Sequence, residues 1–102
     1  MKIKRLKKIR IGSTDFDIVW DKDCCGGCFS YIDHEISIGV QSNNDLDIFS
    51  IIIHEIQEIL LVEVGSRYES ITSLNDYLFS FNHDTFSNVC SSLTGLLEQF
   101  II

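Results

Sequence analysis

The chain has 102 residues, no proline, a hydrophobic fraction of 45% and a net charge of −7. That length suits a single domain with a buried core, and apolar runs such as Ile51-Ile52-Ile53 and Ile59-Leu60-Leu61-Val62 are far too short to span a bilayer. Lys2, Lys4, Arg5, Lys7, Lys8 and Arg10 hold six of the eight basic residues, so the rest of the chain is strongly acidic. That argues against a nucleic-acid-binding face there and favours the attraction of cations.

Residues 1–8 form a basic N-terminal strand or tail. It could touch phosphate, but a solvated leading segment is the simpler reading. No apolar stretch follows these charges as it would in a secretory signal, so the expected compartment is the cytoplasm. Four cysteines in that setting are thiols or metal ligands before they are disulfides.

Residues 9–11 and 14–20 are expected to pair as strands around Gly12-Ser13. Phe16, Ile18 and Trp20 alternate with Asp15, Asp17 and Val19, which gives one apolar face. Residues 21–28 read as a loop with a sharp turn at Gly26-Gly27. Residues 29–33 and 35–40 read as a second hairpin, with Ile36, Ile38 and Val40 on one side. His34, between Asp33 and Glu35, belongs to its turn. Residues 41–45 form a polar loop with helix-capping chemistry.

The pattern over 46–64 predicts a helix with Asp45 and Asp47 near its positive end and Gly65 as its stop. Apolar residues nearly encircle it, so it should be buried between the sheet and another element. Residues 76–81 read as an edge strand. Asn82 caps a last helix running to about Phe100. Phe86, Val89, Cys90, Leu93, Leu96, Leu97 and Phe100 mark its core stripe. Phe79, Phe81, Phe86 and Phe100 are all expected in the core. The fold class is therefore α+β: one domain over 1–102, with a small, mostly antiparallel sheet packed on a buried central helix and a C-terminal helix.

His54, Glu55 and Glu58 interrupt the apolar surface of the central helix. Residues four apart share a helix face, so His54 and Glu58 project together and can grip one ion. Glu55 is rotated by about 100° and can reach a ligand of that ion. This is the logic of the His-Glu-x-x-His helix, with glutamate in the second ligand position. Zinc accepts carboxylate oxygen, and a catalytic zinc takes three protein ligands and one open position. His83, the only histidine after the helix, completes a set of His54, Glu58 and His83. The alternative is a helix-surface pair worth about 0.2–0.5 kcal/mol. On a largely buried helix that is too little to offset several kcal/mol, roughly, for an unpaired ion.

The segment from Ile51 to Leu60, followed by Phe81-Asn82-His83-Asp84-Thr85-Phe86, resembles a family of small phage and prophage proteins of the zinc metallopeptidase, zincin-like type. The order is also similar: a short β region with a Cys/Gly turn, a His-Glu-x-x-His or His-Glu-x-x-Glu helix, then a histidine leading a last helix. The resemblance spans roughly residues 9–101. It implies a zincin-like fold with zinc held by His54, Glu58 and His83, and Glu55 as general base. The substrate would be a peptide or protein, with no membrane partner. Glu58 departs from the commonest form of the motif. Tyr68, Tyr77, Arg67 and His34 are the candidate oxyanion stabilisers.

Cys25 and Cys28 stand in a C-x-x-C spacing. A glycine turn with free thiols is the simplest reading; half of a second metal site and a redox pair are the others. The leading function is a zinc-dependent, peptidase-like hydrolase. The rival is a non-catalytic zincin-like phage or prophage protein that binds a host protein, its metal structural or absent.

Overall fold

The computed structural model describes residues 1–65, 67–69 and 77–102. Strand β1 (Lys8–Ile11) turns through Gly12 and Ser13 into β2 (Thr14–Asp21), pairing antiparallel with Ile9 opposite Phe16. Gly12 takes a φ of 62°, a conformation that costs glycine little. Strands β3 (Gly27–Ser30) and β4 (Glu35–Gly39) form the second hairpin, and His34 closes its turn at a φ of 50°.

The four strands make one sheet in the order β1-β2-β4-β3. Its central pair, β2 and β4, is parallel, with Ile18 opposite Ile36 and Trp20 opposite Ile38. The sheet is therefore mixed: the two expected hairpins are antiparallel, and the joint between them is parallel. The registers explain the pairing. They place Phe16 and Ile18 beside Ile9 and Ile36 on one apolar face, and β4 is buried in the sheet interior with β3 outside it.

Helix α1 (Asp45–Glu63) covers that face. Asn44 caps it: its side chain accepts the Asp47 N–H at 2.8 Å, and Asp47 accepts the Asn44 N–H at 3.2 Å. Ile48, Ile52, Ile56 and Ile59 are buried against Ile9, Ile11, Phe16, Ile36 and Ile38. Gly65 leaves the helix at a φ of 70°. The predicted burial holds along most of α1, which touches β3, β4, the strand β5 (Arg67–Glu69) and the last helix. Leu46 and Val64, at its two ends, are exposed.

Strands β5 (Arg67–Glu69) and β6 (Tyr77–Phe79) form a separate antiparallel ribbon. The strand expected over 76–81 thus pairs outside the main sheet, and Asp76 lies outside the described residues. Helix α2 (His83–Glu98) starts at Asn82, whose side chain accepts the Thr85 N–H at 2.9 Å. It meets the core through Val89, Leu93, Leu96 and Leu97, followed by Phe100. Phe86 and Cys90, expected in the same stripe, are exposed, as are Phe79 and Phe81. The contacts gather in the later turns of α2, so its first turn overhangs the core.

The basic N-terminal segment is not a loose tail. Ile3 bridges Ile101, and the Lys4 N–H donates to the Phe100 carbonyl at 2.7 Å. The Ile3 N–H donates to Asp45, and the Trp20 indole donates to the Leu6 carbonyl. Ile3 is buried while Lys2, Lys4 and Arg5 stay in solvent. Among the described residues, no helix is long and apolar enough to cross a membrane.

Candidate metal centre

Helix α1 brings His54, Glu55 and Glu58 together on the side facing β3 and β5. His54 Nε2 stands 3.4 Å from Glu58 Oε2 and 3.8 Å from Glu55 Oε2. One ligand atom from each residue lies within 4.8 Å of the others. Among the described residues, this is the one group of three or more His, Cys, Asp or Glu side chains so placed. Two ligands of a tetrahedral zinc, each bonded at about 2.0–2.1 Å, stand about 3.3 Å apart. The His54–Glu58 separation already matches that edge, and the Glu55 oxygen, 3.8 Å from His54, would draw in to complete it. The donor set of one imidazole and two carboxylates is one that zinc accepts.

The imidazole is open to solvent, its side chain 73% exposed, while the Glu58 side chain is 17% exposed and that of Glu55 only 5%. A ligand can therefore reach His54 from outside and meet two carboxylates beneath it. Burial pushes the Glu55 carboxyl above its ordinary range. His54 and Arg67 pull it back, and Glu58 adds to the rise. Glu55 owes this setting to Gly27. A Cβ there would lie 2.6 Å from Ile51 Cγ2 and 3.2 Å from Glu55 Cγ, so only glycine lets β3 lie so close over the helix.

Arg67 completes the electrostatics. Its Nε stands 3.1 Å from Glu58 Oε1, and its guanidinium covers the Phe29 ring at 5.1 Å from the centroid. Glu58 thus offers one oxygen to Arg67 and the other to His54. The sequence marked Arg67 only as a candidate oxyanion stabiliser. Its scarcity was the available signal, since only Lys22 and Arg67 are basic beyond Ile11. The Tyr68 and Tyr77 backbones lie in β5 and β6, but their side chains are outside the described set. His34 stands at the β3–β4 turn with its ring 6.0 Å from that of Phe16.

Among the described residues, three clefts meet at His54. One of about 280 Å³ runs under Arg67 and Phe29, and one of about 260 Å³ runs along Gly27, Ser50 and Ile51. A third, of about 400 Å³, is walled by Gln57, Glu58 and Phe79.

The expected third ligand is not part of this group. His83 is the first residue of α2, exposed on the overhanging turn, and the carboxylate that joins His54 and Glu58 is that of Glu55. Cys25 and Cys28 are exposed free thiols, as are Cys24 and Cys90. The Gly26 N–H donates to Cys24 Sγ at 3.5 Å, but no described ligand group of three includes these sulfurs. Comparisons with protein-family models, with curated proteins and with solved structures return no match.

Proposed function

We propose that this chain is a zinc-dependent hydrolase that cleaves amide bonds of peptides, with His54 and Glu58 holding the metal. The observation that carries the reading is the convergence of His54, Glu55 and Glu58 within 4.8 Å at the meeting point of open clefts. The zincin-like motif reading accounts for the His54–Glu58 pair and the adjacent Glu55, while its third ligand, His83, lies outside the group. Zinc bound there supplies Lewis acidity toward a carbonyl and toward water.

The remaining work belongs to the chain. Glu55 lies one helix position beyond His54, with its carboxylate against the same ligand atoms. Its burial raises its proton affinity, so in its carboxylate form it can take a proton from a water in the cleft and release it to a departing amine. Arg67 fixes one oxygen of Glu58 and leaves the other for the metal. With His83 outside the group, the third metal ligand is either Glu55 itself or His83 brought in when the ion binds. Only the second alternative leaves Glu55 free as a base.

A specific observation supports a second reading. Arg67 already gives Glu58 a cation, so the three side chains are also a His54–Glu58–Arg67 polar network that needs no metal. On that reading the chain is a non-catalytic binding protein. Untagged protein tested for zinc by mass spectrometry and calorimetry, and then for cleavage of a peptide library, separates the two. Stoichiometric zinc lost in His54→Ala, with cleavage lost in Glu55→Gln, supports the hydrolase. Absence of zinc binding leaves the polar network; equal turnover by wild type and Glu55→Gln ends the general-base role.

A further inference from the structure

Phe79, Phe81 and Phe86 are 45%, 45% and 48% exposed, although their spacing suits a core. Phe81 stacks on Phe86 with centroids 6.0 Å apart and planes 16° apart. Phe79 walls the same cleft as His54 and Glu58. Phe79 and Phe81 are two residues apart in the chain, so their Cα atoms are separated by at most about 7 Å. Phe79 therefore stands at the candidate metal centre, with the Phe81–Phe86 pair a short step along the chain at the first turn of α2.

We propose that Phe79, Phe81 and Phe86 form a recognition ledge that receives a bulky apolar side chain of an extended peptide lying across the His54–Glu58 cleft. The proposal rests on the hydrolase reading for the fate of that peptide and adds which residue it selects.

Area decides the occupant. Three half-exposed rings leave roughly 200–300 Å² of aromatic surface. A stable dimer needs about 800 Å² from each partner, so a second copy of this chain is not held by such a patch. One or two apolar side chains are. The stacked pair already holds the two rings side by side, so a ligand ring or branched side chain meets them without regrouping them. Asp84, exposed in the first turn of α2, puts a negative charge at that end of the ledge, whereas Glu58 at the other end is already paired with Arg67. Lysine or arginine beside the apolar anchor is therefore favoured over acidic neighbours.

The test uses the full chain in chelator, with fluorescein-labelled peptides that carry Phe or Ala at one central position between lysines. Fluorescence anisotropy should show the Phe peptide binding, and the Ala peptide about tenfold weaker, the loss typical of a truncated aromatic anchor. Phe79→Ala should weaken the Phe peptide to a similar degree, and Phe79→Leu should keep most of its affinity, with thermal melts confirming that both are folded. The peptide substitution alone, on wild-type protein, decides the matter if a variant fails to fold. Equal affinity for Phe and Ala peptides, or no binding of either, overturns the proposal. So does sedimentation showing a wild-type dimer that Phe81→Ala dissociates. Binding is read without metal, so absent cleavage counts against the hydrolase alone. Cleavage indifferent to Phe or Ala counts against the ledge alone.

Discussion

Gly27 is where a single methyl group most directly tests the packing of the site. In Gly27→Ala, the new Cβ meets Ile51 Cγ2 at 2.6 Å, Glu55 Cγ at 3.2 Å and the Ser37 carbonyl oxygen at 3.3 Å. The nearest atom sits on the β-carbon of a branched side chain, which has few alternatives within a helix. Either β3 lifts from α1 or Ile51 leaves its rotamer. Overpacking of this kind costs about 1–3 kcal/mol. Gly27 has no positive φ, so alanine returns about 0.4–1 kcal/mol by restricting the unfolded chain. The net loss is about 1–2 kcal/mol, and at about 4–8 °C per kcal/mol the melting temperature falls by about 4–16 °C. Circular-dichroism melts of wild type, Gly27→Ala, Ile51→Leu and the double variant measure it. Leucine has no Cγ2, so the double variant should recover at least half of the loss. A melting temperature of Gly27→Ala within about 1 °C of wild type, or no recovery in the double variant, refutes the close approach of β3 to α1.

Three further outcomes are expected. Glu55 is held above its unfolded value by burial, so the folded state loses stability as pH rises from about 4.3 through the folded value. In metal-free protein, Glu55→Gln should gain on wild type across that window and hold a constant advantage above it; urea melts whose midpoints stay parallel from acid to neutral pH contradict this. Asn44→Ala removes the acceptor for the Asp47 N–H and should cost about 1 kcal/mol, while Asn44→Gly should cost only a few tenths; chemical denaturation measures both. Zinc at about 100 times its Kd should stabilise wild type by about 2.7 kcal/mol, a shift absent in His54→Ala and reduced in Glu58→Gln; scanning fluorimetry reads it, and equal shifts in all three proteins place the ion elsewhere.

The local elements were legible in the sequence because each carries its own physics. Alternating Phe16 and Ile18 formed a strand with one apolar face, and Gly12 took the turn assigned to it. The helix expected over 46–64 lies at 45–63, capped by Asn44 and ended at Gly65. The i, i+4 pairing of His54 and Glu58 also followed from helix geometry alone, and their side chains do meet. The aromatic residues were misread for an equally local reason. A spacing of three and four gives a stripe but not where along the helix the contact begins. Val89, Leu93, Leu96 and Leu97 are covered, while Phe86, a turn earlier, and Cys90, at the edge of that line, are not.

The chain's periodicities and caps thus determined which segments are strands and helices, and which side chains one helix turn brings together. Only the tertiary structure decided that β4 inserts beside β2 in parallel, that Arg67 reaches back to Glu58, and that the compact ligand group holds Glu55 rather than His83. Periodicity fixes direction around one axis. Relations between axes depend on how whole apolar faces dock. Those faces bring β5 against α1 and rest α2 on its later turns, and that docking sets what surrounds His54.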